Sequence, residues 1–326
     1  MLKNIKATDP APGEPWCDTR RRHSLLGLLD LLDARGYDFV TPTPGTHTRA
    51  LKRRSTPARD ARDVLGWSLP FVADALDAPL LAALTESGAV RRLEDGRFAP
   101  LLRVSRVEGR LFLHSVFPTL AEDAVFLGPD SYRFAQLIAA RLVPDATRIL
   151  DYGAGAGVGG ITAASLTHDA HLTLADVNPK ALCLAEINAA HAGLRHETIE
   201  VAAPREIERC FDLIVTHPPF MIDPEKRAYR DGGDLYGTRL SLEWALEGVR
   251  LLMPGGRLIL HTGVSIVDGR DLLLEGLRER LPADGIAMDY RELDPDIFSE
   301  DLDQPGYAGV DRIAAVGLVI RRIDPA

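Results

Sequence analysis

Two stretches of the chain hold residue types at spacings that can do chemistry. The first is Ile149-Leu150-Asp151-Tyr152-Gly153-Ala154-Gly155-Ala156-Gly157. It begins as an apolar strand and ends in three alternating glycines. Glycines in such a turn let the backbone bend sharply and let a ligand approach it closely. Asp176 ends the next apolar run, 25 positions after Asp151. A carboxylate at that place can accept hydrogen bonds from two ribose hydroxyls, or it can cap the helix that follows. A dinucleotide fingerprint has the spacing G-x-G-x-x-G, with a pyrophosphate at the helix N-terminus. Here the glycines alternate instead, so a nicotinamide oxidoreductase is a weaker reading.

The second stretch is Phe211-Asp212-Leu213-Ile214-Val215-Thr216-His217-Pro218-Pro219-Phe220. A strand leads into a double-proline turn followed by an aromatic. Proline fixes φ and gives up its N–H, which holds the Pro218 carbonyl rigidly. His217 at the mouth of such a turn can accept one hydrogen bond through a neutral ring nitrogen. With an unperturbed pKa near 6.5 it can also take a proton from a nucleophile. A purely packing role for His217 is the plainer alternative.

The glycine stretch, with its leading acidic residue, resembles the first motif of the class I S-adenosylmethionine-dependent methyltransferases. His217-Pro218-Pro219-Phe220 resembles the (Asn/Asp/Ser)-Pro-Pro-(Tyr/Phe) motif of the amino-methyltransferases, and more narrowly the methyltransferase small-domain subgroup. That subgroup modifies ribosomal RNA bases or glutamine side chains of translation factors. The resemblance implies S-adenosylmethionine as cofactor and no metal. It places the cofactor against Asp151, Tyr152, Gly153, Ala154, Gly155, Gly157, Asp176, Val177, Asn178, Val201, Ala202 and His217. It also implies that His217 and the Pro218 carbonyl position a planar nitrogen while Phe220 stacks on it. The departure at His217, where the family has Asn, Asp or Ser, puts amide methylation in doubt and suits an atom that must lose a proton. The acidic residue many members place after the third strand, for the adenine amino group, is missing from Ile199–Pro204.

Two further segments flank these motifs. Val125–Arg133 precedes the glycine strand by roughly 20 residues and resembles the loop-to-helix segment of the subgroup that covers the cofactor. Tyr132 would touch cofactor or substrate there, and Asp130 or Ser131 would cap the helix 131–141. Tyr229–Gly237 follows the double-proline turn and is rich in Gly and charge. Arg230 and Asp231, with Pro219, are expected to orient substrate; a plain surface loop is the alternative.

The elements that must position these residues follow from periodicity. From residue 145 apolar strand candidates at 148–151, 172–176, 213–216 and 257–261 alternate with helical stretches, notably 179–193 and 239–252. Late strands at 286–292 and 313–321 complete the pattern. Such alternation predicts an α/β, doubly wound, seven-stranded and mostly parallel sheet. Before it, helices at 20–35, 63–77 and 79–88 and hairpins at 89–99 and 101–115 suggest an α+β, winged-helix-like module. The expected organisation is a flexible 1–19, a substrate-recognition domain 20–124 and a methyltransferase domain 125–326.

Composition narrows the partners. With 46% hydrophobic and 26% charged residues and a net charge of −9, the chain is an ordinary globular protein and not a dedicated basic nucleic-acid binder. The charge is uneven: residues 20–62 hold 10 basic against 4 acidic side chains. That leaves room for an RNA-facing surface, although a solvated face is the simpler reading. Cys17, Cys183 and Cys210 have no metal-ligand spacing, so zinc and a disulfide framework are not expected, which suits a cytoplasmic protein. The N-terminus lacks a signal-peptide core and no apolar run approaches the ~18 residues of a membrane span. The reading is an enzyme that methylates a planar nitrogen in RNA or a translation-related protein. The alternative is O- or N-methylation of a small metabolite with His217 as base. A non-catalytic, cofactor-sensing or RNA-binding protein is a further class.

Overall fold

The computed structural model describes residues 17–54 and 56–323. Most of the expected flexible segment 1–19 therefore lies outside the described residues. The chain divides into two compact units, Met1–Pro129 and Asp130–Ala326.

The first unit opens with α1 (Thr19–Ala34), whose N-cap Asp18 accepts the Arg21 N–H at 2.7 Å. Leu25, Leu28, Leu29 and Leu32 recur at i, i+3, i+4 and i+7 and are all buried, so one stripe of the helix faces the core. Gly36, at φ +66°, carries the chain out of that helix. Then follow α2 (Pro44–Arg53) and α3 (Ala78–Glu86), with Thr43 and Asp77 as caps. Thr43-Pro44-Gly45 starts α2, because Pro44 sits at the first helical position where its missing N–H costs nothing.

The helix expected over 63–77 does not form. A five-residue π-type turn at Arg62–Gly66 and a three-residue 3₁₀ turn at Ala73–Ala75 replace it, since Ser68 takes φ +58° and Pro70 follows. Two antiparallel hairpins complete the unit: β1 (Val90–Arg92) with β2 (Phe98–Pro100), and β3 (Leu102–Val107) with β4 (Arg110–Ser115).

Between α2 and the second hairpin lies a buried polar cluster. His47 Nε2 is 3.0 Å from the Trp67 carbonyl, its ring stacks on Phe117 at 4.0 Å, and Arg103 reaches its Nδ1 at 3.4 Å. Burial, and then the Arg103 charge, push the His47 imidazole down to about 4 from the ordinary 6.5. Between those two values the unfolded chain binds more protons, so stability falls as pH drops from 6.5 toward 4 and is complete above 6.5. The expected loss is on the order of 2–3 kcal/mol. Urea melts at about pH 7 and about pH 4.5 measure it, and His47→Gln is expected to flatten that dependence.

The second unit carries α4 (Pro129–Arg141), β5 (Arg148–Tyr152), α5 (Val158–Ser165), β6 (His171–Asp176), α6 (Pro179–His191) and β7 (His196–Glu200). Then come β8 (Phe211–Thr216), α7 (Arg239–Arg250), β9 (Leu252–Val267), β10 (Arg270–Asp271), α8 (Leu272–Arg280), β11 (Ile286–Asp294) and β12 (Val310–Arg322). The strand path is β11-β12-β9-β8-β5-β6-β7, with two-residue β10 paired to β9 as an eighth strand. Strands β5 to β9 run parallel; β12 runs antiparallel to both β9 and β11. The unit is therefore an α/β fold with a mostly parallel sheet, as the strand-helix alternation predicts.

Fully buried Ile149, Leu150, Ile214, Leu258 and Leu260 fill the middle strands. Each such side chain contributes about 1.5–3 kcal/mol by leaving water. Among the described residues no helix is long and apolar enough to cross a membrane. Cys210 is an exposed free thiol, whereas Cys17 and Cys183 are not free, contrary to the expectation from cysteine spacing. Sequence spacing alone does not tell which sulfurs meet other groups in space.

Candidate active site

Strand order reverses beside β5: the path continues to β6 and β7 on one side and to β8 and β9 on the other. In open α/β sheets the ligand crevice lies at that switch, outside the strand carboxyl ends. Register brings the motifs to one edge. Tyr152 pairs with Ala175 and Thr216, and Thr216 pairs with Leu260. The next residue of each strand is Gly153, Asp176, His217 or His261, so all four follow the same level of the sheet.

The glycine turn is built as its sequence requires. Gly153, Gly155 and Gly157 take φ of +67°, +54° and +80°. The N–H groups of Gly153 and Ala154 both donate to the Ala175 carbonyl, at 2.9 and 3.0 Å. A Cβ on Gly153 would strike the Trp244 ring at 2.6 Å, whereas one on Gly155 would meet nothing within 4 Å. The turn is thus closed on the α7 side and open at Gly155.

Asp176 is half-buried. One carboxylate oxygen accepts the Gly155 N–H at 2.8 Å and the other the Asn178 N–H at 2.9 Å. Burial raises its pKa. A carboxylate has about four lone-pair directions, so acceptor capacity remains for a hydroxyl donor. Asp176 is not the cap of α6: Asn178 is, its side chain accepting the Lys180 N–H at 3.0 Å. Val177 stands beside them, 50% exposed, as an apolar shelf. An open Gly155, a carboxylate with spare lone pairs and an exposed apolar side chain fit a nucleoside with a free ribose.

Several expected contacts are placed differently. Asp151 is fully buried and accepts the Gly160 N–H at 2.7 Å, which ties β5 to the start of α5; burial pushes its carboxyl well up. It is a structural buckle and presents no carboxylate to solvent. The Tyr152 ring turns away to meet Trp244 edge-on, with centroids 4.4 Å apart. The Val201 N–H donates to the Asp176 carbonyl at 3.1 Å, and the Ala202 N–H to the Glu206 carboxylate at 3.1 Å, so neither backbone donor is free for adenine. Glu206 thereby supplies an acidic group close to where Ile199–Pro204 lacks one; it lies on a single turn, Pro204–Glu206, two residues past that stretch.

The double-proline turn carries the largest correction. Phe220 is only 8% exposed. Its ring lies against Gly263 of β9, where an added Cβ would come within 2.3 Å, and 5.8 Å from the Phe298 ring. It packs into a cluster with Met221, Ile297, Tyr307 and Ile313, so it offers no face for stacking on a substrate. Pro218 is buried and Pro219 half-buried in the same turn.

His217 is held by a residue that the sequence did not single out. Its Nδ1 is 2.7 Å from the His261 carbonyl. A carbonyl only accepts, so Nδ1 carries the proton and Nε2 keeps its lone pair. The two rings meet edge-on at 4.9 Å, and the buried Phe134 ring lies 5.6 Å from His217. Burial lowers the His217 pKa, opposed by the nearby Asp130 carboxylate and by the His261 carbonyl. Asp130 is itself buried in the first turn of α4, where it accepts from Arg133 at 3.0 Å. The same Arg133 reaches Asp294 at 2.8 Å. Tyr132, on α4, is half-buried.

Arg230 and Asp231 are engaged with the protein itself. Arg230 donates to Asp301 at 2.8 Å and lies 3.9 Å from buried Asp223. Asp231 accepts from the Asp223 and Gly233 N–H groups, both at 3.4 Å. Both residues fasten the loop, and Arg230 in particular has its charge neutralised there. Among the described residues no group of three His, Cys, Asp or Glu could hold a metal ion.

Residues 122–231 match the family model described as methyltransferase small domain. Over 128 residues the chain is 34% identical to the release factor glutamine methyltransferase of Deinococcus radiodurans, covering 39% of this chain and 45% of that one. It is 31% identical over 150 residues to the protein of that name from Neisseria gonorrhoeae, covering 45% and 52%. It is 33% identical over 87 residues to the ribosomal RNA small subunit methyltransferase C of Shigella flexneri serotype 5b, covering 26% and 25%. The chain thus spans about half the length of the release-factor relatives and a quarter of the ribosomal one. The matched segment is thus similar to a methyltransferase small domain.

Proposed function

We propose that this chain transfers the methyl group of S-adenosylmethionine to a planar nitrogen in RNA or in a translation-related protein. One observation carries the reading: the open Gly155 turn, Asp176 and His217 follow adjacent strands at one level of the sheet, inside the segment that matches the methyltransferase small domain. The cofactor, when bound, supplies an activated methyl group.

The residues of this chain do the rest. Asp176 would accept from the ribose hydroxyls, Val177 would offer an apolar surface to the adenine, and Glu206 would accept from the adenine amino group. His217 presents Nε2 to the nucleophile and takes its proton, and the Pro218 carbonyl aligns it. General-base help of this kind contributes roughly 10²- to 10⁴-fold. Release factor and ribosomal RNA, the substrates in the relatives' names, support a macromolecular acceptor.

Incubating the purified protein with radiolabelled S-adenosylmethionine and cell extract tests the proposal. Label is expected in a macromolecular fraction, removed by RNase or by protease. Label confined to small molecules would transfer the function to a metabolite, and no label in any fraction would contradict catalysis.

A further inference from the structure

The loop after the double-proline turn contains a left-handed turn built partly from residues other than glycine. Leu235, Tyr236 and Gly237 take φ of +57°, +54° and +84° in succession. Glycine enters this region freely, but a leucine and a tyrosine side by side are strained in it. The turn is closed by hydrogen bonds from Gly237 N–H to the Gly233 carbonyl and from Thr238 N–H to the Leu235 carbonyl, both 3.1 Å. Ser265 of β9 donates to the Tyr236 carbonyl at 2.9 Å. Leu235 gains little burial in return, since it remains 48% exposed.

The turn is seated directly on the main chain of the double-proline motif. Gly232 N–H donates to the Met221 carbonyl at 2.8 Å, and Met221 N–H donates to the Arg230 carbonyl at 3.0 Å. A Cβ on Gly237 would lie 2.3 Å from the Phe220 carbonyl oxygen, and one on Gly232 would lie 2.7 Å from the Phe220 Cα. Only glycine at both places allows so close an approach. The apolar face that Phe220 would have offered is turned into the core, whereas Leu235, in the turn whose glycines abut the Phe220 main chain, stays exposed. Strained backbone held rigidly beside a site of chemistry is a feature of ligand clamps.

We infer that the left-handed turn Leu235–Gly237 is the substrate-reading element of this site, in which Leu235 and Tyr236 cover the flat face of the acceptor group delivered to His217. The inference rests on the methyltransferase reading proposed above. It moves substrate contact from Phe220, Arg230 and Asp231, which are committed to the protein, to two residues held in a strained conformation in the adjoining loop.

Leu235→Gly and Tyr236→Gly test it, because glycine relieves the backbone while removing the side chain. Both variants are expected to melt within about 3 °C of the wild type or above it. They are expected to bind S-adenosylhomocysteine with unchanged affinity in calorimetry. Against the extract fraction that the wild type labels, each is expected to need about tenfold more acceptor for half-maximal rate, with kcat retained. Leu235→Met, which keeps the apolar surface, is expected to behave as wild type. Glycine variants that label that fraction with wild-type concentration dependence would overturn the inference and leave the proposed function standing. A wild type that binds the cofactor yet labels no fraction would remove both.

Discussion

Replacing His217 by alanine is expected to lower kcat by roughly 10²- to 10⁴-fold while leaving cofactor affinity near that of the wild type. The imidazole is held by the His261 carbonyl in the tautomer that leaves Nε2 as acceptor, and its removal takes away both the base and the positioning contact. The pH profile distinguishes the base from a packing role. Burial holds the His217 pKa below 6.5, so the ring is neutral and competent at pH 7. Activity is expected to fall only as pH drops through a value below 6.5, where the ring gains a proton and its lone pair is lost. In His217→Asn, which restores the commoner form of the motif, that acid limb is expected to vanish. A His217→Ala enzyme with an unchanged rate would show that the ring only packs the turn.

Replacing Asp176 by alanine is expected to weaken S-adenosylmethionine binding by at least roughly 10²-fold. Two hydrogen bonds from ribose hydroxyls to a charged acceptor contribute on the order of 1.5–3 kcal/mol each, and every 1.4 kcal/mol is a factor of ten. The same substitution leaves the N–H groups of Gly155 and Asn178 without their acceptor, which loosens the glycine turn and adds to the loss. Asp176→Asn is expected to be impaired as well, because one of the two acceptor oxygens becomes a donor. Calorimetric titration of both variants measures the effect; wild-type affinity in the alanine variant would place the ribose elsewhere.

The sheet of the second unit was legible because its strands are apolar, bounded by turn residues and separated by helices of ordinary length. Strand β7 was not picked out, since His196-Glu197-Thr198-Ile199-Glu200 lies at the sheet edge with half-exposed, mostly polar side chains. The glycine turn was legible for a local reason: a bend with three positive φ values needs glycine wherever it occurs. Phe220 shows the opposite case. Its burial depends on Gly263, 43 positions later, leaving room for the ring on β9. The His261 carbonyl that fixes the His217 tautomer is equally distant in sequence. Arg230 looked free because Asp301, which neutralises it, is 71 residues away. In the first unit α2 was hidden because Pro44 and Gly45 suggest a loop, although proline at the first helical position is compatible with a helix.

Titration of the wild-type protein with S-adenosylhomocysteine in a calorimeter probes the root of these arguments, the nucleoside cradle between Gly155 and Asp176. Saturable heat at one molecule per chain, with none from NADH, is the predicted result. No heat with either S-adenosylhomocysteine or S-adenosylmethionine would contradict it.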